Sequence, residues 1–292
     1  MSKKRIFVLG AENEFGLMAK METAKAIRVR NCMNFVNQII HGKSEDVMPT
    51  IPPDFVDLII TSPPYNVKLG DNKKKKDAYK EYDDDLSYDK YLDWQTVLFK
   101  EAHRILKSGG RICINIGDGS NGRIPTHADF THIMQKIGFL YFGTIIWNKS
   151  QIGNHTSWGS WKSPSQPSFP TPFEFVIVLA KDSLKHEGDS EKATISKEDF
   201  IKCTNSLWEF PPETQMMQKH HHPAVFPEEL PRRLIQLLSY KDDTVLDYFS
   251  GAGTTCTVAK QLERKYIGIE MSEYYVKRSR DRIENANNLE WL

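Results

Sequence analysis

The sequence has few cysteines, and none is placed to work with another. Cys32, Cys113, Cys203 and Cys256 lie far apart, with no Cys-x-x-Cys spacing. That argues against a zinc site or a disulfide framework and fits reduced thiols, so no metal is expected. A surplus of charge is also lacking, because 39 Lys and Arg face 38 Asp and Glu. Net charge therefore gives no argument for a polyanionic partner, and any basic surface must come from local clustering. Long apolar runs are missing too. Ile6 to Leu9, after Lys3-Lys4-Arg5, is too short for a signal-peptide core, and no run approaches the ~18 residues of a membrane span. A cytoplasmic protein without membrane contact is expected. What is present is a chain of 292 residues, 39% hydrophobic and 11% aromatic, enough for one large α/β domain with a modest insertion.

Residues 1–30 are weakly patterned and read as an extension. From Ile39 a clearer rhythm begins. Phe55 to Ile60 is a compact β-rich run ending at Thr61-Ser62-Pro63-Pro64-Tyr65. Its two prolines stop the strand and leave a loop at its C-terminal end. Residues 66–88 are polar, with Lys73, Lys74, Lys75 and Lys76 in succession. Tyr91 to Leu106 has helical spacing, and Ser108-Gly109-Gly110 is expected to stop that helix before a strand at 111–116. A helix at 126–137, closed by Gly138, and a strand at 140–147 come next. Residues 148–172 are rich in Gly, Ser, Pro and Trp and predict no regular structure. After a strand at 173–180, residues 181–222 are polar and irregular, which suggests a small inserted module. Helix 228–239, strand 244–248, helix 254–262, strand 265–270 and helix 272–286 complete the chain. Strands alternating with helices predict an α/β fold with a doubly wound, mostly parallel sheet.

Two motifs carry chemistry. In the second half, Val245-Leu246-Asp247-Tyr248-Phe249-Ser250-Gly251-Ala252-Gly253-Thr254-Thr255 runs from an apolar strand through a glycine turn into a helix. Small residues there let a ligand approach the backbone, and the helix N-terminus favours an anionic group. Glu270 closes the next strand, where an acid can accept hydrogen bonds from ribose hydroxyls. The whole unit suits a nucleoside cofactor and leaves open which one. A bare glycine turn with a capping acid would be no more than a tight connection. Likewise, Thr61–Tyr65 taken alone reads as a proline-stiffened turn with a packed tyrosine.

Together, Thr61-Ser62-Pro63-Pro64-Tyr65 and the later Asp247–Thr255 block resemble the amino-methyltransferases of DNA, and their order resembles the permuted β group of that family. His222-Pro223-Ala224-Val225-Phe226-Pro227 resembles the family's segment before the cofactor turn. Ile146–Lys149 and Glu174–Ile177 are similar to strands between catalysis and target recognition, and Ser206–Pro211 to the end of the recognition region. Two departures stand out. Tyr248 replaces the usual Pro, and Lys43 in Gly42-Lys43-Ser44 replaces the usual Asp.

The resemblance implies the Rossmann-like sheet of S-adenosylmethionine (SAM) methyltransferases with a small target-recognition insertion. It implies an extension over 1–30, a catalytic half over 31–180, target recognition over 181–215 and a SAM-binding half over 216–292. Catalysis falls to Ser62, Pro63, Pro64 and Tyr65. Cofactor contacts fall to Thr61, Phe226, Pro227, Asp247, Phe249, Gly251, Gly253, Thr254, Thr255 and Glu270. The partner is double-stranded DNA, with a cognate restriction endonuclease and a homodimer as further expectations. Ser in the first place of the tetrapeptide is typical of enzymes methylating cytosine N4, and Asp or Asn of those methylating adenine N6. A protein-glutamine or RNA methyltransferase is the alternative of another class, although such enzymes place the cofactor turn first. Methylation at cytosine C5 is disfavoured, since no cysteine follows a proline.

The chemistry suits the residues. An exocyclic amine is a poor nucleophile because its lone pair is delocalised, and acceptors such as the Ser62 hydroxyl and Pro63 carbonyl would draw it out. Tyr65 offers a face for a base turned out of the helix. Lys73 to Lys76, Trp158 and Lys162 are candidates for DNA contact, against a reading as solvated charge and a self-packed loop. His220, His221 and His222 are adjacent residues that point apart, and a packing or cofactor-adjacent role is expected of them rather than metal binding.

Overall fold

The computed structural model describes residues 35–66, 86–149, 161–167, 169, 171–213 and 226–286. Among these, eight strands form one sheet: β1 (Gln38–His41), β2 (Val56–Thr61), β3 (Leu106–Ile116), β4 (Phe139–Asn148), β5 (Phe173–Lys181), β6 (Leu207–Glu209), β7 (Thr244–Asp247) and β8 (Lys265–Glu270). Their order is β1-β8-β7-β2-β3-β5-β4-β6. Only the β3–β5 and β4–β5 pairs are antiparallel, so the sheet is mostly parallel as expected. The helices are α1 (Ser44–Val47), α2 (Tyr88–Ile105), α3 (Gly119–Gly122), α4 (Thr126–Ile137), α5 (Lys197–Cys203), α6 (Glu229–Leu238), α7 (Thr254–Gln261) and α8 (Glu273–Glu284). None is long and apolar enough to cross a membrane.

Central strands buried on both faces have no polar side, which is why β2 is apolar almost throughout. Its alternation still sorts the side chains. Val56 and Ile59 join the core under α2 and α4, with Tyr91, Leu98, Phe99 and Phe130. Leu58 and Ile60 join the core under α6 and α7, with Leu230, Leu234, Val258 and Ala259. β3 and β5 divide the same way: Ile112, Ile114, Ile177 and Leu179 go to one face, Cys113, Val176 and Val178 to the other. This is the two-residue period of a pleated strand inside a sheet covered on both sides, interrupted only at the start of β2, where a register shift between Val56 and Leu58 puts Val56 on the Ile59 face.

The connections fix where a ligand site can form. β2 leads through α2 to β3 on one side, whereas β7 leads through α7 to β8 on the other. β2 and β7 are themselves neighbours, with Leu58 opposite Val245 and Ile59 opposite Leu246. Chains leaving adjacent parallel strands in opposite directions open a crevice beyond the strands' C-terminal ends. The opposite edge is closed by polar bonds. Asp57 accepts from Lys107 Nζ at 2.7 and 2.8 Å and from the Thr244 amide at 2.9 Å, while His186 pairs with Asp243 at 3.0 Å.

Two expectations need correction. Helix α2 ends at Ile105, and Ser108-Gly109-Gly110 lies inside β3 instead of stopping the helix. Gly109 is there for a different reason. Its φ is +77°, and a Cβ would come within 2.2 Å of the Lys185 carbonyl oxygen. Residues 181–213 are also not irregular throughout: β6 forms the edge of the main sheet beside β4, and Trp208 is fully buried in the common core.

Gly109→Ala should therefore lower unfolding stability by about 2–4 kcal/mol, combining left-handed backbone strain with a clash against main chain. Urea denaturation checks this; an unchanged midpoint would show that the 185 segment moves aside freely.

Candidate active site

The glycine turn follows β7 into the crevice. Gly251 and Gly253 hold φ of +48° and +76°, and a Cβ on Gly253 would meet Ser279 Cβ at 2.9 Å. Ser279 Oγ in turn donates to the Gly251 carbonyl at 2.7 Å. Arg282 pins the turn from the other side, reaching the Ala252 carbonyl at 3.2 Å, Thr254 Oγ1 at 3.0 Å and Glu228 at 2.6 Å. Through Glu228 it joins the turn to Phe226-Pro227, so segments distant in sequence flank one space.

Asp247, at the end of β7, is only 2% exposed. Its carboxylate accepts from Thr61 Oγ1 at 2.9 Å, Thr255 Oγ1 at 2.7 Å and the Phe249 amide at 3.1 Å. Thr61, Asp247 and Thr255 thus engage one another, and their combined effect is to hold β2, the turn and α7 together. Glu270 ends β8 and receives the Gly251 amide on one oxygen and the Ser272 amide on the other, both at 2.8 Å. The Phe249 ring meets Trp94 edge-on at 5.6 Å, making an aromatic wall beside the turn. Lys43, at the departure from the expected pattern, is exposed, and the next residue, Ser44, hydrogen-bonds the Tyr248 carbonyl.

Across the crevice, β2 ends in Ser62–Tyr65. Ser62 Oγ donates to the Asn115 carbonyl at 3.1 Å and lies 3.4 Å from the Tyr65 hydroxyl. A hydroxyl has one proton and two lone pairs, so directing the proton to a carbonyl leaves acceptor capacity on Ser62. Tyr91 donates to the Pro64 carbonyl at 2.7 Å and fixes the loop from below. Asn66 brackets Leu86, donating at 2.7 Å and accepting at 3.0 Å.

The Tyr65 hydroxyl donates to Glu174 Oε2 at 3.0 Å and accepts from Asn115 Nδ2 at 3.0 Å. Burial, and next the nearby Glu174 charge, hold the phenol protonated far above the ordinary tyrosine range. Glu174, Asn115 and Lys149 were not singled out as site residues from the sequence. A signal existed: Asn115 interrupts Ile112–Ile116, and Glu174 interrupts Phe173–Ala180. A lone polar residue in a buried strand must find partners.

Of the residues expected to contact DNA, only Lys162 falls among the described residues. Lys73–Lys76 and Trp158 lie outside the described residues, as do residues 1–30, His220, His221 and His222. Lys162 lies over the ring of Trp161 at 4.6 Å, and Trp161 is 66% exposed. The nearest approach to a metal-ligand set among the described residues is Asp57, His186 and Asp243 at the opposite sheet edge, whose ligand atoms lie within 4.8 Å of one another. These groups are already engaged with Lys107, main-chain amides and each other.

Residues 56–281 match the family model described as DNA methylase, which covers N6 and N4 enzymes. The chain is 40% identical over 192 residues to the type II methyltransferase M.MjaVI of Methanocaldococcus jannaschii, covering 65% of this chain and 94% of that protein. It is 29% identical over 275 residues to the DNA adenine methyltransferase YhdJ of Escherichia coli K12, covering 87% and 85%. Among solved structures, a DNA modification methylase from Thermus thermophilus complexed with SAM superposes with a TM-score of 0.67 at 27% identity, covering 86% and 94%. The donor set fits SAM as cofactor. The glycines leave the turn without side chains, Glu270 places a carboxylate at the end of β8 beside the turn, and Phe249 with Trp94 offers an apolar slot.

Burial pushes the Asp247 carboxyl up to about 6, against the pull of its three donors. An unfolded Asp titrates near ~4, so between roughly pH 4 and 6 the folded state keeps a proton the unfolded chain has lost. Stability from this group therefore falls as pH rises through that window and is flat above it. In denaturation at stepped pH, wild type should lose up to about 3 kcal/mol relative to Asp247→Asn between pH 4 and 7. A constant difference would mean that Asp247 is ionised throughout.

Proposed function

Because the chain belongs to the DNA methylase family and SAM is its cofactor, we propose that it methylates the exocyclic N4 of a cytosine turned out of duplex DNA. The observation that carries this reading is the Ser62 hydroxyl, anchored by its proton to the Asn115 carbonyl with lone pairs to spare. Ser62 accepts one amine hydrogen and the Pro63 carbonyl the other, one residue before the carbonyl that Tyr91 holds. Accepting both hydrogens draws the nitrogen lone pair out of the ring toward the methyl donor. The proline pair limits loop motion, so these acceptors need little reorganisation. Tyr65 presents its ring to the extruded base, while its hydroxyl is occupied behind. SAM, when bound, supplies a methyl group activated by sulfonium. The amine proton released on transfer passes to solvent, since no basic side chain among the described residues touches Ser62.

Within this reading Thr61, Asp247, Thr255 and Thr254 shape the cofactor turn, Gly251 and Gly253 admit the cofactor, Glu270 takes the ribose hydroxyls, and Phe249, Phe226 and Pro227 line its apolar surround. Lys73–Lys76, Trp158 and Lys162 serve DNA contact, and residues 181–215 serve target recognition. The 40% identity to a type II methyltransferase supports a place in a restriction–modification system, beside an endonuclease of the same specificity. Adenine N6 is the second reading, favoured by the similarity to YhdJ over nearly the whole chain.

Incubation with tritiated SAM and duplex DNA from an unmodified host, followed by nucleoside chromatography, should place label in N4-methylcytosine. Label in N6-methyladenine transfers the reading to adenine, and unlabelled DNA removes it. Tyr65→Ala should lower kcat by about ten- to a hundredfold through lost stacking, with SAM binding retained. Ser62→Ala should reduce kcat more than it changes KM.

A further inference from the structure

Behind the Tyr65 ring lies a polar network that the transfer step leaves unused. Glu174 Oε2 accepts from the Tyr65 hydroxyl at 3.0 Å and from Asn115 Nδ2 at 2.7 Å, and Glu174 Oε1 is paired with Lys149. Asn115 Nδ2 also reaches the Tyr65 oxygen at 3.0 Å. The phenol therefore donates to Glu174 and accepts from Asn115, so its proton and one lone pair are both engaged. Glu174 is 9% exposed and Asn115 is 3% exposed.

A carboxylate is a costly residue here. Its neighbours along β5 are Phe173, Phe175 and Val176, and an apolar side chain would pack there with no need of a counter-charge. The cation that offsets the cost is Lys149, the residue just past β4, whose Nζ also sits 5.4 Å from the Trp147 ring centroid. Gly117 completes the arrangement. A Cβ at Gly117 would lie 3.3 Å from Tyr65 Cε2 and 3.5 Å from Glu174 Cγ, so the ring rests against bare backbone on that side. The ring is thus limited by Gly117 and tethered at its hydroxyl by a charged acceptor, which is stronger than a neutral one.

We propose that Glu174 is a positioning residue for methyl transfer, acting through the Tyr65 hydroxyl to fix the stacking ring while Asn115 and Lys149 hold Glu174. This rests on the reading of Tyr65 as the wall for the extruded base. The role differs from mere core packing in one respect: it vanishes once the Tyr65 hydroxyl is gone.

The test is a double-mutant cycle on the full chain, comparing wild type, Glu174→Ala, Tyr65→Phe and the double variant for kcat, KM for DNA and SAM affinity. A hydrogen bond to a charged group predicts that Glu174→Ala lowers kcat by about tenfold or more in wild type. In the Tyr65→Phe background the same change should cost no more than about threefold, with SAM affinity and KM within about twofold throughout. An equal loss in both backgrounds, no loss in wild type, or a loss confined to SAM affinity overturns the proposal. If Glu174→Ala fails to fold by circular dichroism, Glu174→Gln, which has the same shape, is scored by the same criterion. A wild-type chain that leaves DNA unmethylated defeats the function proposed above; a methylating wild type with an additive cycle defeats only the role of Glu174.

Discussion

The site depends on one buried hydrogen bond, from the Thr61 hydroxyl to the Asp247 carboxylate, spanning 186 positions of sequence. It joins the ends of two adjacent parallel strands where their connections diverge. Strand spacing of about 4.8 Å then sets how far the catalytic loop can stand from the cofactor turn. The other Asp247 oxygen takes Thr255, so the same carboxylate also fixes the first residues of α7. Burying an acid costs stability, and the raised titration point of Asp247 expresses that cost. The return is a rigid junction among three elements whose relative placement defines the distance between donor and acceptor.

The polar groups of the crevice divide into those that are spent and those held in reserve. Tyr65 spends its hydroxyl on neighbours and keeps its ring for contact. Ser62 spends its proton and keeps lone pairs. Glu270 is oriented by main-chain amides, one on each oxygen. For Tyr65 and Ser62 a local bond fixes the direction in which the remaining capacity points. Under the function proposed above, this preorganisation would let fixed groups act on a reacting amine without rearranging during the step.

Much of this was legible in the sequence. The 265–270 strand ends at Glu270 as expected, because an alternating run bounded by turn residues marks both limits. The 126–137 helix stops at Gly138, which holds φ of +120°. The glycine turn was legible because two glycines between a strand and a Thr pair leave few backbone solutions. Less legible was anything depending on which strand lies beside which. The Asn115–Glu174 contact requires β3 and β5 to be antiparallel neighbours, and no local pattern states that. The incorporation of Leu207–Glu209 into the main sheet escaped notice for the same reason: three residues carry too little periodicity, and the partner strand lies about sixty residues earlier. Gly109 misled because a glycine after a helix usually marks its end, whereas here it makes room for the Lys185 carbonyl.

The covered β2 strand has a consequence for how the chain comes into being. Ribosomes release β2, α2 and β3 early, and those can pair on one side at once. The other edge of β2 waits for β7, and Leu58 and Ile60 wait for α6 and α7, more than 160 residues later. Throughout that interval an apolar strand carries an open edge, the form most prone to stick to other chains. A growing polypeptide of this design needs shelter until β7 has been made, and the arrival of Asp247 ends both its vulnerability and its chemical inertness.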